Sequence, residues 1–384
     1  MGYFFITGTY RSGTTLLQKL LGAHPDIYSA EQPLPTLFIY LKDKFLRQKG
    51  IVDPLPLGTL FNETRYKQSE FLNFLENYKL SREDIDAVFK MASDFKGVRT
   101  PEIHEVKQEI SPGENLIEFY KQYINLLVSI TEGKNVSLRG SKEIITEEFI
   151  PYFLDNNIKT ILIVRDLRDV INSTNFGKAK EFIGNIRPTL FTIRVWRKSI
   201  AFAIKYSNHP NFLVVKYENL IFNTQEVLKT IFNFLGITEF NTEQLIETIS
   251  ENWTANSSFG SYRGLSSASI GKYKNNFPDN YTEYIETLAY PEFLYMDYKS
   301  DYMDNSKFLT ETYRNSIIEN FREPVEVSHH SFNKDYSVSK ENVFLEKERI
   351  NKLISSKDIP NSEKEKLFIF PEAFKTLKLL LHEH

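Results

Sequence analysis

The sequence predicts an α/β fold: a parallel sheet flanked by helices, with a helical insertion and a helical C-terminal appendage. Three observations carry this expectation. Four short apolar runs, residues 3–7, 136–138, 160–164 and 212–215, have the length and the β-branched or aromatic content of buried parallel strands. Stretches with apolar residues at helical spacing lie between them. A glycine-containing loop also joins the first run directly to a helical pattern, as strand–helix units of parallel sheets require.

Taken in order, the run at 3–7 is followed by Gly8-Thr9-Tyr10-Arg11-Ser12-Gly13-Thr14-Thr15 and a helical run over 16–23. Residues 35–115 are aromatic-rich and helical without strand signals, which marks an insertion after the first strand–helix unit. Residues 116–130 place Leu116, Tyr120, Tyr123, Ile124 and Leu127 on one face. Residues 190–206 do the same with Phe191, Val195, Trp196, Ile200 and Ala203. A helix over 227–235 ends at Gly236, a left-handed cap. From about residue 300 the pattern changes to two amphipathic helices near 339–354 and 362–381, each opening on a serine followed by acidic residues. The chain therefore divides into a main α/β domain over 1–300 and an appendage over 301–384.

With 384 residues, 41% hydrophobic and 25% charged, the composition excludes disordered and fibrous classes. A net charge of −3 gives no global footprint for nucleic acid. The absence of cysteine removes disulfide frameworks, iron–sulfur clusters and a thiol nucleophile together. No secretory signal, myristoylation pattern or membrane-spanning run is visible, so a cytoplasmic location is expected.

The loop after the first strand has the Gly-x-x-x-x-Gly spacing of a P-loop, so the sheet is expected to be P-loop-NTPase-like. Its backbone N–H groups converge on an anion at a helix N-terminus. Thr14 stands where a nucleotide triphosphatase has lysine, while Arg11 supplies positive charge from within the loop. Such a loop suits one 5′-phosphate better than a triphosphate. A second constellation follows the run at 160–164: Arg165 at the carboxyl end of a parallel strand, with Ser173 eight residues on, can hold a separate phosphate. A plain salt-bridge turn over 165–169 is the alternative.

Together these elements resemble the sulfotransferases that use 3′-phosphoadenosine 5′-phosphosulfate (PAPS). The arginine in the loop, followed by Ala23-His24-Pro25-Asp26 and Glu31, is similar to tyrosylprotein sulfotransferases and their bacterial relatives. The resemblance covers about residues 3–280 and implies that Tyr10, Arg11, Ser12, Gly13, Thr14 and Thr15 bind the 5′-phosphosulfate. Arg165 and Ser173 would take the 3′-phosphate, and Tyr217, in Val215-Lys216-Tyr217-Glu218, would lie near the adenine. Gly271 and Lys272, in Ile270-Gly271-Lys272-Tyr273, match the segment that closes over the cofactor. The family's Lys-Asp/Thr-Pro element is present only as Ser141-Lys142-Glu143, and no arginine follows Ser173 near Gly177.

The implied reaction moves a sulfuryl group from PAPS to a hydroxyl of a carbohydrate, a peptide tyrosine or a small molecule, without a metal. It needs a base, positive charge on the transferring group and an aligned acceptor. Glu31 is the expected base. Arg11, Lys142 and a serine of the pair Ser257 and Ser258 are expected to stabilise the sulfuryl group, with Lys142 as the proton donor because arginine keeps its proton. His24 reads as a cap at a helix end; His104 has no assigned role, and His329, His330, His382 and His384 lack the spacing of metal ligands. Phe38, Tyr40 and Tyr66 are candidates to line an acceptor pocket. A nucleotide-dependent kinase with an atypical loop and a non-catalytic nucleotide-binding protein remain the alternatives at this point.

Overall fold

A computed structural model describes residues 2–51, 67–131, 136–178, 183–257 and 260–383, apart from the side chains at 255–257 and 261–262. Five parallel strands form the central sheet in the order β2-β3-β1-β4-β5. They are β1 (Gly2–Thr7), β2 (Ile27–Glu31), β3 (Leu138–Lys142), β4 (Lys159–Val164) and β5 (Phe212–Lys216). Helix α1 (Thr14–Gly22) links β1 to β2, and the helical insertion α2 (Pro35–Gln48), α3 (Gln68–Asn77) and α4 (Arg82–Asp94) follows β2. Next come α5 (Leu116–Ile130) before β3, α6 (Ile150–Asp155) before β4, and α7 (Leu167–Ile171) and α8 (Thr189–Tyr206) before β5. Beyond the sheet lie α9 (Tyr217–Phe222), α10 (Thr224–Leu235), α11 (Thr242–Asn252), a hairpin β6 (Thr254–Ser257) with β7 (Gly260–Arg263), and α12 (Asp279–Tyr295). The C-terminal helices are α13 (Asn305–Leu309), α14 (Glu311–Asn320), α15 (Lys340–Ile354), α16 (Asn361–Phe368) and α17 (Pro371–Glu383).

Two strands differ from the sequence expectation. The run at 136–138 was expected to be the strand, whereas β3 extends over Leu138–Lys142, all of it buried. Its polar residues are tolerated there because each finds a partner: Arg139 donates to Asn125 Oδ1 (2.9 Å) and to the Val136 carbonyl (2.8 Å). The Ser141 amide donates to the Tyr120 hydroxyl (3.0 Å), which in turn donates to the Phe4 carbonyl (2.7 Å). Strand β2 has no apolar run to announce it. It forms because it pairs with β3 in register, Ile27 opposite Leu138 and Glu31 opposite Lys142.

The insertion and α6 cover one face of the sheet through aromatic contacts: Phe5 stacks on Phe153 of α6 (4.2 Å between centroids) and leans on Phe38 of α2 (5.6 Å). On the other face α1, α10 and α11 bury Leu17, Leu20, Leu228 and Phe232 against Ile6 and Ile163. Gly236 ends α10 at φ 84°, as expected of a left-handed cap. Helices α15 and α17 share a hydrophobic core with α8 and α12, including Trp196, Leu288, Ile350 and Phe374. Ser339 caps α15, accepting from the Asn342 amide (3.3 Å). The single helix expected over 362–381 is instead two. Ile369 takes φ 70° and Pro371 opens α17, so the chain turns between them.

Candidate functional site

The site lies at the carboxyl edge of the sheet, where the loop after β1 and the ends of β2, β3 and β4 meet. Gly13 caps the N-terminus of α1 at φ 91° with its Cα against the Tyr217 ring. A Cβ there would stand 2.2 Å from Tyr217 Cδ2, so only glycine fits. The Ser12 hydroxyl is buried inside the loop and has no hydrogen-bond partner among the described residues. That orphaned donor at a helix N-terminus suits an anion. Thr9 and Tyr10 anchor the loop to α8, through Ser199 Oγ (2.9 Å) and Thr192 Oγ1 (2.8 Å).

Arg11 takes φ 61°, which aims its side chain back so that Nε donates to Ser173 Oγ (2.9 Å). Ser173 lies in a π-helical turn, Asn172–Phe176, that continues α7. Arg165 is buried beside it: its guanidinium donates to the Arg11 carbonyl (3.1 Å) and the Ser269 carbonyl (2.6 Å) and lies 4.6 Å over the Tyr217 ring. The Tyr217 hydroxyl in turn meets Ser269 Oγ (3.1 Å). Asp169 receives the amides of Gly271 (2.7 Å) and Tyr273 (3.3 Å), so the segment bearing Gly271 and Lys272 is tied to α7. Burial pushes the Asp169 carboxyl up to about 6, against the pull of Arg165. The turn after β4 is therefore not a solvated salt-bridge loop. Even Arg168 is buried there, between Asp166 (2.6 Å) and Glu286 (2.6 Å).

Glu31 was expected in a loop after the first helix; it is instead the last residue of β2, opposite Lys142 on β3. Pairing with β3 draws it into the sheet, yet leaves its side chain at the strand end facing the loop. Glu31 Oε1 accepts from Thr15 Oγ1 (3.2 Å) and stands 3.8 Å from the Lys142 ammonium, while Oε2 pairs with Lys19 (3.2 Å). Lys142 also donates to Gln32 Oε1 (2.7 Å). Burial pulls its ammonium below the usual lysine range, with the Glu31 charge pulling the other way. The next residue, Glu143, is fully buried and accepts from the Leu34 amide (3.3 Å) at the start of α2.

Thr15, Glu31, Gln32 and Lys142 line a cavity of about 270 Å³ together with Phe38, Ile39, Ile144 and Ile145. Six non-glycine residues have positive φ among the described residues, and Arg11, Gln32 and Ile145 of these line this cavity. Strain of this kind persists where the surroundings over-determine it, as they do at functional sites.

The structure thus brings together Tyr10, Arg11, Thr14, Thr15, Glu31 and Lys142 around one cavity, with Arg165, Ser173, Tyr217 and Gly271 in an adjoining cluster. Lys272 follows Gly271 at the start of a short 3-10 turn. Ser257 is in β6 with its side chain outside the described residues, and Ser258 and Tyr66 lie outside them altogether. Tyr40 does not join the lining. Its hydroxyl is held by Asp84 of α4 instead, because a helix places residues two apart on different sides. His24 is a buried cap, contacting the Glu239 carbonyl (2.8 Å) and receiving the Asp26 amide (3.1 Å). Sequence reasoning missed Lys19, Gln32, Lys42, Arg99 and Arg187, all of which pair with or line the site. None carries a local signal, since each arrives through tertiary packing.

The sulfotransferase domain family matches residues 2–293. Among solved structures, the chain is similar to the sulfotransferase domain from the curacin biosynthetic pathway, at 18% identity, covering 78% of this chain and 98% of that one with a TM-score of 0.41. The sulfotransferase domain from the Synechococcus PCC 7002 olefin synthase is 16% identical, covers 94% and 96%, and has a TM-score of 0.33. Retinol dehydratase in a complex with retinol and PAP is 15% identical, covers 79% and 82%, and has a TM-score of 0.35. No curated protein matches the sequence. With three quarters of its length spanned by that one pattern, laid over the sheet and the loop described above, the chain belongs to the sulfotransferase domain family.

Proposed function

We propose that this protein transfers a sulfuryl group from PAPS to the hydroxyl of an acceptor, with Glu31 as the base. The observation that carries the reading is the convergence of one carboxylate, Glu31, with Lys142, Arg11 and Thr15 on a single cavity beside an anion-accepting loop. The loop's orphaned Ser12 hydroxyl, the bare Cα of Gly13 and the Arg11–Ser173–Arg165 cluster fit a nucleotide carrying phosphates at both 5′ and 3′ positions.

PAPS supplies the activated sulfuryl group. Glu31 takes the acceptor proton as the acceptor oxygen bonds to sulfur and the bond from sulfur to the bridging oxygen breaks, leaving its electron pair on the 5′-phosphate. Arg11 holds the negative charge that develops there and keeps its own proton. Lys142 is the better proton donor to the departing oxygen, because burial already favours its neutral form. Thr15 and Lys142 orient the Glu31 carboxylate before the acceptor arrives.

Calorimetric titration tests the donor. 3′-Phosphoadenosine 5′-phosphate (PAP) is expected to bind at least tenfold more tightly than ATP with Mg²⁺. Tight binding of ATP with Mg²⁺ alone would return the kinase reading.

A further inference from the structure

The cavity has a second wall that the donor chemistry does not use. Opposite the loop, Pro35, Phe38, Ile39 and Phe95 give an apolar surface, and Lys42, Lys96, Arg99 and Arg187 add four cations to Arg11 and Lys142. Among the described residues Glu31 is the one carboxylate in the lining. Lys42 is balanced within the protein: it sits 3.5 Å from Glu148 in a buried group with Lys198 and Glu147. Arg187 stacks over the Tyr10 ring (4.7 Å). Lys96 and Arg99 are exposed at the mouth, and among the described residues no carboxylate pairs with either side chain.

Ordinary surface lysines and arginines are mobile and their charge is screened. Arg99 is different because its own backbone is stitched to the strand end that carries Glu31, and Lys96 immediately precedes the stitched segment. The Arg99 amide donates to the Gln32 carbonyl (3.1 Å), and Gln32 Nε2 donates to the Gly97 carbonyl (3.0 Å). The Thr100 hydroxyl donates to the Glu31 carbonyl (2.9 Å) and accepts the Glu31 amide (3.1 Å). Four hydrogen bonds thereby fix residues 97–100 to the strand end that carries Glu31. The charge balance then decides what the mouth accepts. A bound phosphosulfate offsets Arg11 and Lys142, and Lys19 offsets Glu31 from outside the lining, so Lys96 and Arg99 are left without a counter-charge.

Resting on the sulfotransferase reading, we infer that the acceptor is itself an anion: a small hydroxyl compound with an apolar body and a carboxylate or phosphoryl group. Lys96 and Arg99 engage that group while the hydroxyl meets Glu31 and the body lies on Phe38, Ile39 and Phe95. A cavity of about 270 Å³ admits an acceptor the size of a substituted phenol. Charge at the mouth selects it; the apolar wall aligns it.

The test saturates the full chain with PAP and titrates in three matched phenols: 4-hydroxyphenylacetate, 4-hydroxyphenyl phosphate and neutral 4-hydroxyphenylacetamide. At least one anion is expected to bind tenfold or more tightly than the amide, and to show the same advantage in kcat/KM with PAPS. The stronger of the two anions identifies the group recognised. The advantage is expected to shrink as salt rises, to fall to within about threefold in a Lys96→Ala/Arg99→Ala variant, and to survive Arg99→Lys. Equal binding of amide and anions, an advantage that persists in the double variant, or binding by neither anion overturns the inference while PAP binding leaves the sulfotransferase reading intact. Failure of PAP to bind the wild-type chain overturns both.

Discussion

Glu31 and Lys142 face each other because they occupy paired positions at the ends of two adjacent parallel strands. That geometry makes their roles separable by substitution. Glu31→Gln keeps the shape and the hydrogen bond from Thr15 but removes the carboxylate proposed as base. Transfer is expected to fall by at least about 10²-fold, with PAP affinity within about twofold of wild type, measured by radiolabelled transfer and calorimetry. Transfer that persists in this variant would sink the assignment of Glu31. Arg165→Ala is expected to weaken PAP by roughly tenfold or more, and adenosine 5′-phosphate far less. Equal losses for the two nucleotides would mean that Arg165 only braces the Arg11 carbonyl and Tyr217. Arg11, Arg165 and Ser173 were legible in the sequence because loop spacing and strand exits are local signals. Arg99 was not, because it reaches Gln32, the neighbour of Glu31, through the packing of a helical insertion, a relation that no local pattern announces.

At the scale of elements, the apolar runs located β1, β4 and β5, but they misplaced β3 and gave no hint of β2. Both exceptions have one cause. Hydrogen bonds that Ser141 and Arg139 donate to Tyr120 and Asn125 of α5 let a polar segment lie in the sheet, and neighbouring strands then supply the pairing that composition does not. The C-terminal helices depend on charge as well as on apolar packing. Glu346 of α15 accepts from Arg194 (2.8 Å) and Arg197 (2.7 Å) of α8, all three buried. Breaking one partner of a buried ion group leaves the others uncompensated. Glu346→Gln is therefore expected to cost about 3–5 kcal/mol in urea denaturation and to speed hydrogen exchange in α8 and α15 together. A change under about 1 kcal/mol would show that the apolar core alone holds α15.

For the whole molecule, the same carboxylate sets an acid limit. Burial works to raise the Glu346 pKa from 4.5, but the charges of Arg197 and Arg194 outweigh it and hold the group at about 2. A depressed pKa stabilises the fold fully above the ordinary value and loses that contribution as pH falls towards the folded one. The shift corresponds to about 3 kcal/mol. The urea midpoint is thus expected to drop between pH 4.5 and 2, and the drop is expected to be smaller in Glu346→Gln. An equal drop in both proteins would place the acid sensitivity elsewhere.

The sequence by itself determined the fold class and the glycine-bearing loop after β1, because these rest on periodicity and spacing within a few turns of chain, and its ordered motifs carried the resemblance to the family that the domain match shows. It also determined the two arginine positions, since each follows a strand it could identify. Only the tertiary structure decided which charges surround Glu31. Lys142 meets Glu31 by strand register, and Lys96 and Arg99 by the packing of an insertion, and neither relation leaves a pattern along the chain. A net charge of −3 concealed a cavity lined, among the described residues, by one carboxylate and six cations. Composition sums charges over the whole surface, whereas recognition depends on the few that folding brings within a Debye length of each other.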